Sequence, residues 1–124
     1  MKMSERLAPN FMSHEFACKH CGKLPEKGMS TYLIVLLQLF RNAVGKPLII
    51  TSGYRCPVHN RNLGGASNSQ HLKGTAVDIL IPEGMTVDKM AEIADKIGFD
   101  GIGKYYKDNF LHVDVRGTRA RWVG

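Results

Sequence analysis

Apolar residues recur along the chain at two spacings, and the change from one to the other separates helices from strands. Leu33, Leu36, Leu37, Phe40 and Val44 fall at the three- and four-residue steps that put side chains on one helix face. Ser30 or Thr31 caps the start of that helix, Gly45 is its natural stop and Pro47 bars its continuation. A second helix is expected from Val87 to about Ile97, capped by Thr86 and stopped by Gly98. Short β-prone runs at Leu48 to Thr51 and Ala76 to Ile81 end at Ser52-Gly53 and at Pro82. Three later runs, Gly101 to Tyr106, Phe110 to Arg116 and Thr118 to Val123, alternate in the manner of strands and predict an antiparallel meander. Ser13 can cap a short turn through Phe16. The stretch from Ser52 to Gly74 reads as loop with one turn of helix around His59 to Asn62, and so long an irregular segment points to function. Helices early and in the middle with strands late make the class α+β.

The length of 124 residues, with 44% hydrophobic and 23% charged positions, is that of one domain, so residues 1–124 are read as a single unit. The longest apolar run, Leu33 to Leu37, is far too short to span a membrane. Lys2, Glu5 and Arg6 interrupt the first ten residues, which lack the apolar stretch of a secretory leader. A chain of this kind is expected to begin in the cytoplasm.

Seventeen Lys and Arg against eleven Asp and Glu give a net charge of +6, which favours an anionic partner. The basic residues are scattered, clustering only at Arg116, Arg119 and Arg121, and no nucleic-acid-binding motif accompanies them; no nucleic-acid partner is expected. Three cysteines, Cys18, Cys21 and Cys56, are too few and odd in number for a disulfide framework. Cys18-Lys19-His20-Cys21 has the spacing of half a zinc site, which Cys56 with His20 or His59 would complete; simple buried thiols or a redox pair are the other readings. The segment from about residue 11 to 28 that carries this pair is expected to pack on the main body.

Most chemistry-bearing residues fall in three segments around Ser52 to Arg55, Ser69 to Ile79 and Phe110 to Arg116. A tight turn at Gly74 can fold His71 and Asp78 back toward one point. Asp78 interrupts an apolar strand, where its carboxylate needs a cation or hydrogen-bond donors. Strand alternation puts Phe110, His112 and Asp114 on one face and Leu111, Val113 and Val115 on the other. Two histidines and a carboxylate form a ligand set that zinc accepts while keeping a fourth position open. A hydrogen-bonded structural role is the alternative for each of these residues taken alone.

Ser52-Gly53-Tyr54-Arg55, then Ser69-x-His71-x-x-Gly74-x-Ala76-x-Asp78-Ile79, then His112 resemble the zinc D-alanyl-D-alanine carboxypeptidase family. That family takes in vancomycin-resistance D,D-dipeptidases and phage L-alanyl-D-glutamate endolysins, with the hedgehog signalling domain as a fold relative. The likeness is to its short phage or bacterial members and runs from about Phe11 to Trp122. It implies the hedgehog/DD-peptidase fold, an antiparallel sheet with helices packed on one side. It also implies zinc held by His71, Asp78 and His112, with Ser69 binding substrate backbone. Arg55 would polarise the scissile carbonyl or bind a substrate carboxylate.

The family's usual Glu or Asp three residues before the last histidine is replaced by Asn109, whose amide cannot take a proton. Asp114 is then the candidate catalytic base, with orientation of a ligand histidine or pairing with Arg55 as its other reading; Asp108 reads as a turn residue. His59 could line the cleft or hold the loop at Pro57. Trp122, Tyr105 and Tyr106 read equally as a substrate wall or as core. The expectation is a monomeric zinc peptidase that cleaves peptidoglycan stem peptides at bonds involving D-amino acids and reaches the wall after release or export. A non-catalytic zinc-containing binding module is the alternative.

Overall fold

A computed structural model describes residues 4–124. The reading of the first ten residues as free of a leader falls partly on residues 1–3, which lie outside that range. In chain order the elements are strands β1 (Arg6–Ala8) and β2 (Phe11–Met12), a 3-10 turn at Ser13–Phe16, helix α1 (Thr31–Val44), strand β3 (Ile50–Ser52) and helix α2 (Pro57–Asn62). A second 3-10 turn at Gln70–Lys73 follows, then strand β4 (Ala76–Leu80), helix α3 (Val87–Ile97) and strands β5 (Gly101–Tyr105), β6 (Phe110–Asp114) and β7 (Ala120–Val123).

Both long helices begin and end where their capping residues dictate. The Ser30 hydroxyl accepts the Leu33 amide at 3.2 Å, and Gly45 closes α1 at φ 73° with its own amide on the Arg41 carbonyl. Thr86 accepts the Lys89 amide at 3.1 Å and Gly98 stops α3 in the left-handed region. The first turn is capped differently from expectation. Met12 occupies its cap position, with the Met12 amide donating to Glu15, while Ser13 lies inside the turn and accepts the Glu5 amide at 2.8 Å.

Five strands form one sheet in the order β3-β4-β6-β5-β7. Leu33, Leu37 and Phe40 of α1 and Met90 and Ala94 of α3 pack with Val77, Ile79, Ile102, Leu111 and Val113 of the sheet in one continuous core. Phe11 and Phe16 enter the same core from the N-terminal segment. The helices therefore cover one face of the sheet, and the alternate side chains of β4 and β6 are left to build the other.

The expected antiparallel meander at the end of the chain holds for β5 and β6 but not for β7, which runs parallel to β5. β6 already pairs along its whole length with β4, so the outer edge of β5 is the open one. Asp100 anchors the crossover, its side chain accepting the Gly117 amide and its carbonyl the Ala120 amide, both at 2.9 Å. The β1–β2 hairpin had no clear signal in the hydrophobic pattern, being only three and two residues long.

Candidate metal centre and cleft

Strand register places the key side chains in one row across the sheet face opposite the helices. Ser52 pairs with Asp78, Asp78 with His112, His112 with Gly103, and Gly103 with Trp122. The neighbouring row runs from Ala76 through Asp114 to Gly101. His71 joins from the 3-10 turn, which ends at Gly74 with φ 71°, the left-handed conformation that reverses the chain into β4. His71, Asp78 and His112 each present one ligand atom, and the three atoms lie within 4.8 Å of one another. All three residues are buried.

Hydrogen bonding fixes which imidazole nitrogens face inward. His71 Nδ1 lies 2.8 Å from the Gly53 carbonyl, an acceptor only, so Nδ1 carries the proton and Nε2 is left toward Asp78 Oδ1 at 3.2 Å. His112 Nε2 lies 2.7 Å from Asp114 Oδ2, which leaves Nδ1 facing the same Asp78 oxygen at 3.0 Å. Each ring thus meets an acceptor at both nitrogens, whereas a neutral imidazole has one proton to give. Two buried imidazolium rings or a cation among the three inner atoms would resolve the conflict. Tetrahedral ligands about 2.0–2.2 Å from a zinc ion stand about 3.3–3.6 Å apart, near the 3.2 and 3.0 Å that separate Asp78 Oδ1 from the two ring nitrogens. The donor set fits such an ion.

The electrostatics follow from the same contacts. Burial works to raise the Asp78 carboxyl, but hydrogen bonds from His112 and His71 and the charge on those rings hold it well below the usual carboxylate range. Burial likewise opposes charge on His112, yet Asp114 and Asp78 outweigh it and raise that pKa.

A cleft of about 380 Å³ opens over the row. Arg55 reaches into it from the loop after β3, where its Nη2 donates to Asp78 Oδ2 at 3.3 Å and its Nε to Ser52 at 3.2 Å. The Arg55 amide donates to the His71 carbonyl. Ser69 caps the 3-10 turn by accepting the His71 amide at 3.2 Å, so its own O–H remains available to the cleft it lines. Tyr105 and Trp122 also line the cleft, the Trp122 indole N–H donating to the Tyr105 hydroxyl at 2.9 Å. Tyr106 does not; its hydroxyl donates to Asp88 of α3.

Asp114 stands behind His112 and is fully buried. Arg116, not Arg55, is its cationic partner: Arg116 Nη2 donates to Oδ2 at 2.6 Å and Nε to Oδ1 at 3.0 Å. Burial would raise the Asp114 carboxyl, but His112 and Arg116 together depress it. Asp108 and Asn109 are exposed in the β5–β6 turn, Asn109 at φ 56°, and neither lines the cleft. Among the described residues that do line it, Asp78 is the carboxylate. Strand alternation carried a signal for Arg116, two residues beyond Asp114. The Gly53 carbonyl that orients His71 had none.

The cysteines gather elsewhere. Cys18, Cys21 and Cys56 are free thiols whose sulfurs also lie within 4.8 Å of one another. His59 sits on α2 beside them, outside the cleft lining, with its ring stacked on that of His20.

A sequence model of the peptidase M15 family matches residues 8–114. The chain is 37% identical over 89 residues to the zinc D-Ala-D-Ala carboxypeptidase of Streptomyces albus G, an overlap of 69% of this chain and 34% of that protein. It is 35% identical over 82 residues to the peptidoglycan L,D-endopeptidase MepK of Escherichia coli K12, covering 62% of this chain and 44% of the relative. The chain therefore spans less than half the length of these relatives.

Proposed function

This chain belongs to the peptidase M15 family, and from that premise we propose that it is a zinc-dependent peptidase acting on peptidoglycan stem peptides at bonds that involve D-amino acids. The observation that carries the reading is the convergence of His71 Nε2, His112 Nδ1 and Asp78 Oδ1, with each ring's other nitrogen already committed to an acceptor. Relatives named for a zinc carboxypeptidase and a peptidoglycan endopeptidase point to the same chemistry. The acting species in this reading is a monomer, and the +6 charge favours adsorption to an anionic wall.

Bound zinc would supply Lewis acidity and an acidified water at neutral pH. The protein's own groups do the rest. With that ion in place His71 and His112 would present unprotonated inward nitrogens, the Gly53 carbonyl and Asp114 holding each ring's proton on the opposite side. Arg55 presents guanidinium donors where a substrate carbonyl gains negative charge or where a terminal carboxylate would sit. The Ser69 hydroxyl donates to a substrate backbone carbonyl, and Trp122 with Tyr105 forms the wall against which the peptide lies. Asp114 acts through His112 as a positioning residue.

The test is a digest of defined muropeptides followed by mass spectrometry. Release of D-alanine or of peptide fragments is expected, abolished by chelator and by His71→Ala. Zinc-loaded protein that cleaves no muropeptide refutes the enzymatic reading. A second reading, a zinc-containing binding module, draws on the exposed Asn109 and on a cleft whose carboxylate is already engaged by two histidines and an arginine. Saturable muropeptide binding without turnover would establish it.

A further inference from the structure

The cysteine cluster lies apart from the cleft and is assembled from two short motifs distant in sequence. Cys18-Lys19-His20-Cys21 forms a knuckle, closed by the Gly22 amide on the Cys18 carbonyl at 2.8 Å. Cys56-Pro57-Val58-His59 starts α2, with Cys56 at the cap position and Pro57 in the first turn. The Cys56 amide donates to Cys18 Sγ at 3.4 Å, and the His59 amide to Cys56 Sγ at 3.4 Å. No disulfide joins any of the three.

Zinc in structural sites takes four ligands, and a Cys-x-x-Cys knuckle facing a Cys-x-x-His pair supplies them with the right softness and spacing. We infer that Cys18, Cys21, Cys56 and His59 bind a structural zinc ion distinct from the one proposed in the cleft. The three sulfurs converge without an imidazole, and His59, one helical turn from Cys56, would fill the fourth position by turning its ring from the stack on His20 toward them. His20 lies between two ligands of the knuckle and is the competing imidazole, its ring stacked on that of His59 at 5.9 Å.

Such an ion clips the N-terminal segment to the loop that carries Arg55. The two already touch: the Tyr54 amide donates to the Phe16 carbonyl at 2.8 Å, and Gly53 lies so close that a Cβ there would come within 2.7 Å of the Phe16 backbone. From that loop Gly53 orients His71 and Arg55 enters the cleft, so the second ion would brace the floor of the first site. The inference does not depend on peptidase activity.

The test uses protein purified under reducing conditions, with His71→Ala removing the cleft site. That variant should retain one zinc per chain by elemental analysis, and its Co²⁺ form should show sulfur-to-cobalt charge-transfer absorption. Cys21→Ser, at an exposed side chain, and Cys56→Ser in the same background should abolish both, with circular dichroism confirming that the fold is kept. His59→Ala should weaken zinc binding on the order of a hundredfold, while His20→Ala leaves it unchanged. Absence of zinc from His71→Ala, a cobalt form without the sulfur band, or a Cys18–Cys21 disulfide in freshly reduced protein would overturn the site. Loss of affinity in His20→Ala with none in His59→Ala would overturn the fourth ligand.

Discussion

Asp114→Asn separates the two roles that strand alternation leaves open for this carboxylate. In the native arrangement Asp114 Oδ2 accepts from His112 Nε2 at 2.7 Å and from Arg116 Nη2 at 2.6 Å, while Oδ1 accepts from Arg116 Nε at 3.0 Å and from the Arg116 amide at 3.2 Å. An asparagine amide has one oxygen for this ring of donors. If that oxygen stays with the Arg116 backbone and Nε, the amide nitrogen faces His112 Nε2 and drives the ring's proton to Nδ1, the atom directed at Asp78. If the amide turns over, Arg116 loses its fork instead. Losing such an orienting partner lowers metal affinity about 10–100-fold, or about 1.4–2.7 kcal/mol. The freed Arg116 adds less, because its side chain is 28% exposed and water replaces the lost partner. The assay is a competitive chelator titration, with the ligand-field absorption of the Co²⁺ form reporting the histidine site separately from the cysteines. An unchanged metal affinity accompanied by a collapse in turnover would refute the positioning role and return Asp114 to the catalytic base.

Other perturbations test the scaffold around the site. Gly101→Ala puts a Cβ onto the Asp114 carboxylate, so it should cost about 1–3 kcal/mol by overpacking and weaken metal binding as Asp114→Asn does; wild-type affinity and melting temperature would refute the close approach. Phe40→Ala removes a fully buried ring packed edge-on against Phe99 at 5.6 Å and should cost about 3–5 kcal/mol in urea unfolding, with less than about 1 kcal/mol contradicting its central place in the core. Asp95 accepts from Arg121 and Arg119 and ties α3 to the end of the chain, its pKa lowered chiefly by the Arg121 hydrogen bond and also by the Arg119 charge. A depressed folded pKa stabilises above the ordinary carboxylate value of about 3.9 and ceases to do so as pH falls through the folded value. The melting-temperature gap between wild type and Asp95→Asn should therefore be present at neutral pH, shrink in high salt and close in acid; a gap that widens in acid would reverse the sign of the argument.

Residues that act through their immediate neighbours were legible in the sequence. Ser30 with Gly45 and Thr86 with Gly98 bound their helices because a cap needs only the amides within one turn. The alternation of β6 likewise sent Leu111 and Val113 to the core and His112 with Asp114 to the opposite face. Sequence spacing alone does not reveal register, because pairing joins residues far apart: His112 meets Asp78 across 34 positions. Nor does it reveal which edge receives the last strand. A meander would set β7 against the edge of β6 that β4 occupies, and Asp78 would lose its place beside His112. By pairing with β5 instead, β7 leaves the Asp78–His112 contact intact and sets Trp122 opposite Gly103, where the missing side chain makes room for the indole. The indole then lies 5.0 Å from the His112 ring and walls the cleft. The one topological departure from the local pattern is thus what permits both the metal-ligand pair and the substrate wall to share a single row of the sheet.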